Sequence, residues 1–104
     1  MAQAFSNPVH RAGMEYETVA ASQTAQVLGA TGAAGDYIDH LVVSVATAAT
    51  STVTLLDGAT SITITAANTP IGVYNVDLGL ISVSGAWKIT TGAGATVIAV
   101  GNFT

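Results

Sequence analysis

Cysteine is absent from this chain of 104 residues. A disulfide frame, a thiolate zinc site and a cysteine nucleophile are thereby excluded, and the redox compartment stays undetermined. Charge is scarce as well: 8% of the residues are ionic, against about 25% in an average soluble domain. Cations are scarcest of all, with Arg11 and Lys88 set against six acids for a net charge of −4. Nucleic-acid binding needs a positive footprint to neutralise phosphates, and two cations do not supply one. The same shortage argues against an anionic membrane as partner. The mean hydropathy is +0.57, yet no stretch approaches the roughly 18 apolar residues of a spanning helix. The most apolar run, Leu41 to Ala49, is broken by Ser44 and Thr47. At the start, Met-Ala-Gln-Ala-Phe-Ser-Asn-Pro has neither a basic n-region nor an apolar h-region, so no secretory signal is expected there.

Ala, Thr, Ser, Gly and Val take the place of the missing charges. Charge normally keeps soluble proteins apart, and these small side chains do so poorly. Interfaces between subunits are depleted in charge at their centres and tolerate small polar groups. A surface covered by other subunits therefore resolves the conflict. The composition points to assembly.

Two regions differ along the chain. Residues 1–25 hold both glutamates, one of the two cations, Pro8 and Gly13, and show no sustained period. This stretch reads as an N-terminal arm, with Phe5, Met14 and Tyr16 as spaced anchors and Pro8 and Arg11 between them. A disordered terminus has the same features, and the residues alone do not choose.

Residues 26–104 read as one β-sandwich domain. Val, Ile and Thr dominate, and Gly- or Asn-containing breaks recur every 8 to 12 residues or so, the spacing of a sandwich or barrel. Strands are expected near Gln26–Leu28, Tyr37–Ala46, Ser51–Leu56, Ser61–Ala66, Val73–Leu78, Leu80–Val83, Trp87–Thr91 and Thr96–Val100. Ile62 and Ile64 alternate with threonines, and Leu41, Val43 and Val45 form another such row. Asp57-Gly58 is a turn signal. Only Ala46–Thr50 offers room for a turn of helix. In Thr96–Val100 both faces are apolar, so Ile98 and Val100 seek burial beyond the core, against a neighbouring subunit. A single exposed apolar residue would be the ordinary alternative.

Groups for catalysis are few. Asp36, Asp39 and His40 form the one dense cluster; on a regular strand Asp36 and His40 share a face and Asp39 takes the other. No third ligand joins that face, and a solvated loop-to-strand junction explains the cluster equally well. No metal or other cofactor is expected. The hydroxyls have no base placed beside them and no nucleophile elbow. Gly29–Gly35 has the glycines of a phosphate loop but lacks the Lys-Ser/Thr and the helix that should follow. Trp87 reads as core, in a row with Ile89 and Thr91. The chain reads as a non-enzyme.

Residues 21–37 (Ala21-Ser22-Gln23-Thr24-Ala25-Gln26-Val27-Leu28-Gly29 through Gly35-Asp36-Tyr37), Asp57-Gly58, Ser84–Ala93 with its Gly85-Ala86-Trp87-Lys88, and Val97–Gly101 resemble small virion structural proteins of tailed bacteriophages. The likeness covers roughly residues 21–104 and none of the arm. It implies a capsid decoration or cement subunit, or a head-fibre component, usually a β-sandwich or jelly roll that clusters as trimers. The expected fold is thus an all-β antiparallel sandwich, jelly-roll-like, with an extended N-terminal arm. The resemblance implies the major capsid protein and further copies of the chain as partners. It also implies a place on the outer surface of the phage head after synthesis in the host cytoplasm. Contacts are expected through Phe5, Pro8, Arg11, Met14, Tyr16, Ile98 and Val100. Two rival readings are a receptor- or glycan-binding module, with Tyr37, Tyr74 and Trp87 as its platform, and a tail or connector component.

Overall fold

Residues 14–104 are described by a computed structural model. Apolar residues at every second position build eight strands: β1 (Glu15–Val19), β2 (Gln26–Val27), β3 (Tyr37–Val45), β4 (Val53–Asp57), β5 (Thr60–Thr65), β6 (Gly72–Ile81), β7 (Trp87–Thr91) and β8 (Ala95–Asn102). Among the described residues a single 3-10 turn, Ala48–Thr50, falls where the sequence left room for helix. Among the described residues no helix is long and apolar enough to cross a membrane.

The strands form two four-stranded sheets, β1-β8-β3-β6 and β2-β7-β4-β5, with every pairing antiparallel. The pairs β1–β8, β2–β7, β3–β6 and β4–β5 are nested, so the chain doubles back on itself as one long ribbon. Its tip is the two-residue turn Gly58-Ala59. Two further pairings, β8–β3 and β7–β4, fold that ribbon into facing sheets. The fold is an all-β sandwich.

The core lies between the sheets and follows the alternation. Leu41, Val43 and Val45 of β3 face Val53 and Leu55 of β4 and the buried row Trp87, Ile89, Thr91 of β7. On β8 the inward row is Ala95, Val97 and Ala99. Fully burying side chains of this size is worth about 1.5–3 kcal/mol each, which makes these rows the main source of stability.

Three expectations need correction. The segment read as the end of an arm contains β1, which pairs with β8 from Glu15↔Gly101 to Val19↔Val97. The loop after it is tied down too: Thr91 Oγ1 donates to Ala20 O at 2.6 Å, and Ala25 N donates to Thr90 Oγ1 at 2.9 Å. From Glu15 onward the chain is sandwich. Second, Val73–Leu78 and Leu80–Val83 are not two strands. Residues 73–81 are one strand, β6, in which Gly79, at φ +64°, sits in a bulge, and Ser82 and Val83 follow its end. Third, β3 is irregular at Asp39: Ile38 pairs with Gly101 while His40 pairs with Val100, leaving Asp39 as an extra residue. A bulge shifts the alternation by one, so Ile38 and Leu41, three apart, both reach the core.

Candidate interaction face

Residues opposite one another on antiparallel strands share a face of the sheet. On the outer side of the first sheet this places Tyr16, Val100, His40 and Asp77 in one row across β1, β8, β3 and β6. The next row is Thr18, Ile98, Val42 and Asn75. The middle of this face is thus Tyr16, Val100, Ile98 and Val42, with no charge among them. Tyr16 is 70% exposed and Ile98 39%, while Val42 and Val100 are half-buried.

Three of the expected contact residues, Tyr16, Ile98 and Val100, come together here, although Tyr16 is over 80 positions from the others in sequence. Met14 is half-buried just before β1. Phe5, Pro8 and Arg11 lie outside the described residues. Val42 was not singled out by the sequence reading, because the inward row Leu41, Val43 and Val45 puts it on the outer side without saying what lies beside it there. The β3–β8 register supplies that information.

The ionisable groups sit at the margin of this face. His40 Nδ1 is 2.8 Å from Asp39 Oδ2, and the Tyr37 hydroxyl donates to Asp39 Oδ1 at 2.8 Å. The bulge makes His40 and Asp39 neighbours, contrary to the opposite faces expected from regular alternation. Asp36 does not join them. Its Oδ2 accepts from Ala33 N (3.2 Å) and Thr104 N (3.0 Å), and Oδ1 accepts from Thr104 Oγ1 (3.0 Å). Among the described residues no three His, Cys, Asp or Glu groups gather as a metal site.

Other possible sites are occupied by the protein's own contacts. In the Gly29–Gly35 loop, Ala30 N and Thr31 N donate to Thr104 O at 3.1 Å, and Gly35 N donates to Ser82 O at 2.9 Å. Those amides have no free direction for a phosphate. Asp57 accepts from Val83 N and Ser84 N at 3.0–3.1 Å, which fastens the β6–β7 loop to the β4–β5 turn. Trp87 is 2% exposed and its Nε1 donates to Asp36 O at 2.9 Å. An indole so placed is core, not a platform for a sugar ring. At one end of the sandwich an open, uncharged hollow of ≈ 300 Å³ is lined by Val45, Ala46, Ile71, Val73 and Ala93.

The chain matches no family model, no curated protein and no solved structure.

Proposed function

We propose that this chain is a non-enzymatic structural subunit of a tailed-phage virion, a decoration subunit that binds the assembled head and stabilises it. The observation that carries the reading is the uncharged face of Tyr16, Val42, Ile98 and Val100, on the outer side of the first sheet. Fully burying an aliphatic side chain is worth about 1.5–3 kcal/mol, so the exposed part of Ile98 contributes roughly 1 kcal/mol. A single face of this size makes a modest contact, and many copies on one particle make a strong attachment. A subunit that binds only the assembled shell stabilises it by mass action, with no chemical step.

The sheet orders β1-β8-β3-β6 and β2-β7-β4-β5 support a finer fold assignment, the eight-stranded jelly roll of two Greek keys. Trimers and a place on the outer head surface follow from the resemblance in residues 21–104. Electron microscopy of purified particles carrying a labelled copy tests the reading. Label spread over the head surface is the expected result; label confined to tail or fibres, or none, refutes it. Point variants serve such tests better than removal of residues 1–20, which would also take away β1.

A further inference from the structure

The two long sides of the sandwich are finished differently. Where β1 lies over β2, charge guards the edge, since β1 carries Glu15 and Glu17. Glu17 also ties the sheets together, its Oε2 accepting from Gln26 Nε2 at 2.8 Å and its Oε1 from Gly29 N at 2.7 Å. On the other side, β6 and β5 each have a sheet neighbour on one flank only. Between them Ile62, Ile64, Tyr74, Val76 and Leu78 are only partly buried. That side is an open apolar seam between two strand edges.

Neither edge is well guarded. β5 has no charged residue, and the 10 residues of β6 have one, Asp77. Every second residue of an edge turns its N–H and C=O outward, a template for another strand. Exposed apolar groups crowd the same place. Val73 (70% exposed), Leu80 (42%) and Ile81 (62%) lie on β6, and Ile71 (70%) and Val83 (80%) lie just beyond its ends. These are five of the seven large apolar side chains exposed among the described residues. Soluble proteins cover or charge an edge of this kind.

The shape of this side names its occupant. One added peptide strand would cover one edge and leave the other, about 10 Å away, bare. A complete cover needs two strand edges with an apolar seam between them, and a second copy presents the same side. Rotated by a half-turn about an axis normal to the sheets, it sets β6 antiparallel to β6 and brings β5 beside β5. The side is about 33 Å long for a ten-residue strand and about 20 Å thick for two sheets with their outer side chains. Covering it buries on the order of 650 Å² per copy, about 1,300 Å² in all, within the range of about 1,200–2,000 Å² for stable interfaces.

The register follows from the one charge. Asn75 lies at the middle of the regular part of β6, before the Gly79 bulge. With the axis there, Tyr74 of each copy meets Val76 of the other inside the seam, and Val73 stands opposite Asp77. The two Asp77 carboxylates then lie about 13 Å apart along the strands, beyond the roughly 8 Å screening length of physiological salt. An axis at Asp77 would set the acids face to face, which is destabilising.

Resting on the self-associating reading above, we propose that two copies pair edge to edge through β6, about a two-fold axis at Asn75, and merge their seams into one core. Such an axis keeps the outer faces of both first sheets on the same side. Tyr16, Val42, Ile98 and Val100 of the two copies then form one continuous docking surface. An isologous contact closes at two copies, so it is a different contact from the three-fold one that the resemblance implies.

The chain has no cysteine, so one substitution supplies a single thiol. Residues directly opposite in an antiparallel pair have Cα atoms about 4.5–5.5 Å apart, within reach of a disulfide. Under mild oxidation the full-length Asn75→Cys protein should form a covalent pair at least about 10-fold faster than Thr18→Cys, an exposed position on β1. Sedimentation velocity of the cysteine-free chain checks the register. Val73→Asp, placed against Asp77 of the second copy, should associate at least about 5-fold more weakly than Val73→Lys. Both variants lose the same valine, at a position already in solvent. Equal weakening by the two overturns the axis at Asn75. Equal oxidation rates for the two thiols overturn the edge pairing. If the unaltered chain then still associates, self-association stands through another surface; if it stays monomeric, the reading beneath the pairing falls with it.

Discussion

The carboxylate of Asp36 receives both the amide and the hydroxyl of Thr104, 68 residues further along the chain. The backbone oxygen of the same residue accepts the Trp87 indole N–H. Asp36 therefore joins the start of β3, the segment after β8 and the core tryptophan at one point. A residue that looked like a metal ligand or a solvated junction is a structural tie.

Asp36→Ala should leave Ala33 N and Thr104 N without their acceptor in a site only 6% exposed. Hydrogen bonds to a charged group are worth about 1.5–3 kcal/mol, and on the order of 2–3 kcal/mol of stability should be lost. Thermal unfolding followed by circular dichroism should show Tm falling by roughly 8–20 °C. A fall within about 2 °C would show that the tie contributes little.

Gly29 and Gly35 make a matched pair for substitution. Both have positive φ, +95° and +97°, so alanine strains the backbone at either site. At Gly29 an added Cβ would come within 2.7 Å of the Thr104 carbonyl carbon, whereas at Gly35 it would meet nothing within 4 Å. Gly35→Ala should cost about 1–2 kcal/mol. Gly29→Ala should cost at least about 2 kcal/mol more, through displacement of the Thr104 segment. Equal losses in urea denaturation would remove the close approach from the explanation.

Trp87 is the chain's one tryptophan, so its fluorescence reports on a single site. Its burial predicts blue-shifted emission, weak quenching by acrylamide and no change on adding oligosaccharides. Saturable quenching by a sugar would favour the receptor-binding reading, since it requires the indole to reach solvent.

Much of the architecture was legible because its code is local. Ile62 and Ile64 alternate with threonines and do face inward from β5, and the Trp87, Ile89, Thr91 row is buried. The failures have definite causes. Glu15 and Glu17 disguised β1, since an edge strand carries charge that a central strand does not. Glu17 is used in cross-sheet hydrogen bonds that no pattern of neighbours foretells. The bulges at Asp39 and Gly79 depend on pairing with distant strands, so a reading by regular alternation put His40 and Asp39 on opposite sides and divided β6 in two. The candidate face was half visible. Ile98 and Val100 stood out as the second apolar side of β8, but their joining with Tyr16 and Val42 depends on register.

On the outer face of the first sheet, Tyr16→Ser with Ile98→Thr should weaken association at least 10-fold while leaving Tm within about 3 °C. Both side chains point away from the core, so little folding energy depends on them. A large drop in Tm would place them in the fold's stability instead of an interface.

The most direct test is the mass of the unaltered, full-length protein in solution. Sedimentation equilibrium at micromolar concentration should return a multiple of the 10.3 kDa chain, with three copies the number the resemblance implies. A single 10.3 kDa species at every concentration, with no retention on purified phage heads, would contradict a subunit whose uncharged faces exist to be covered.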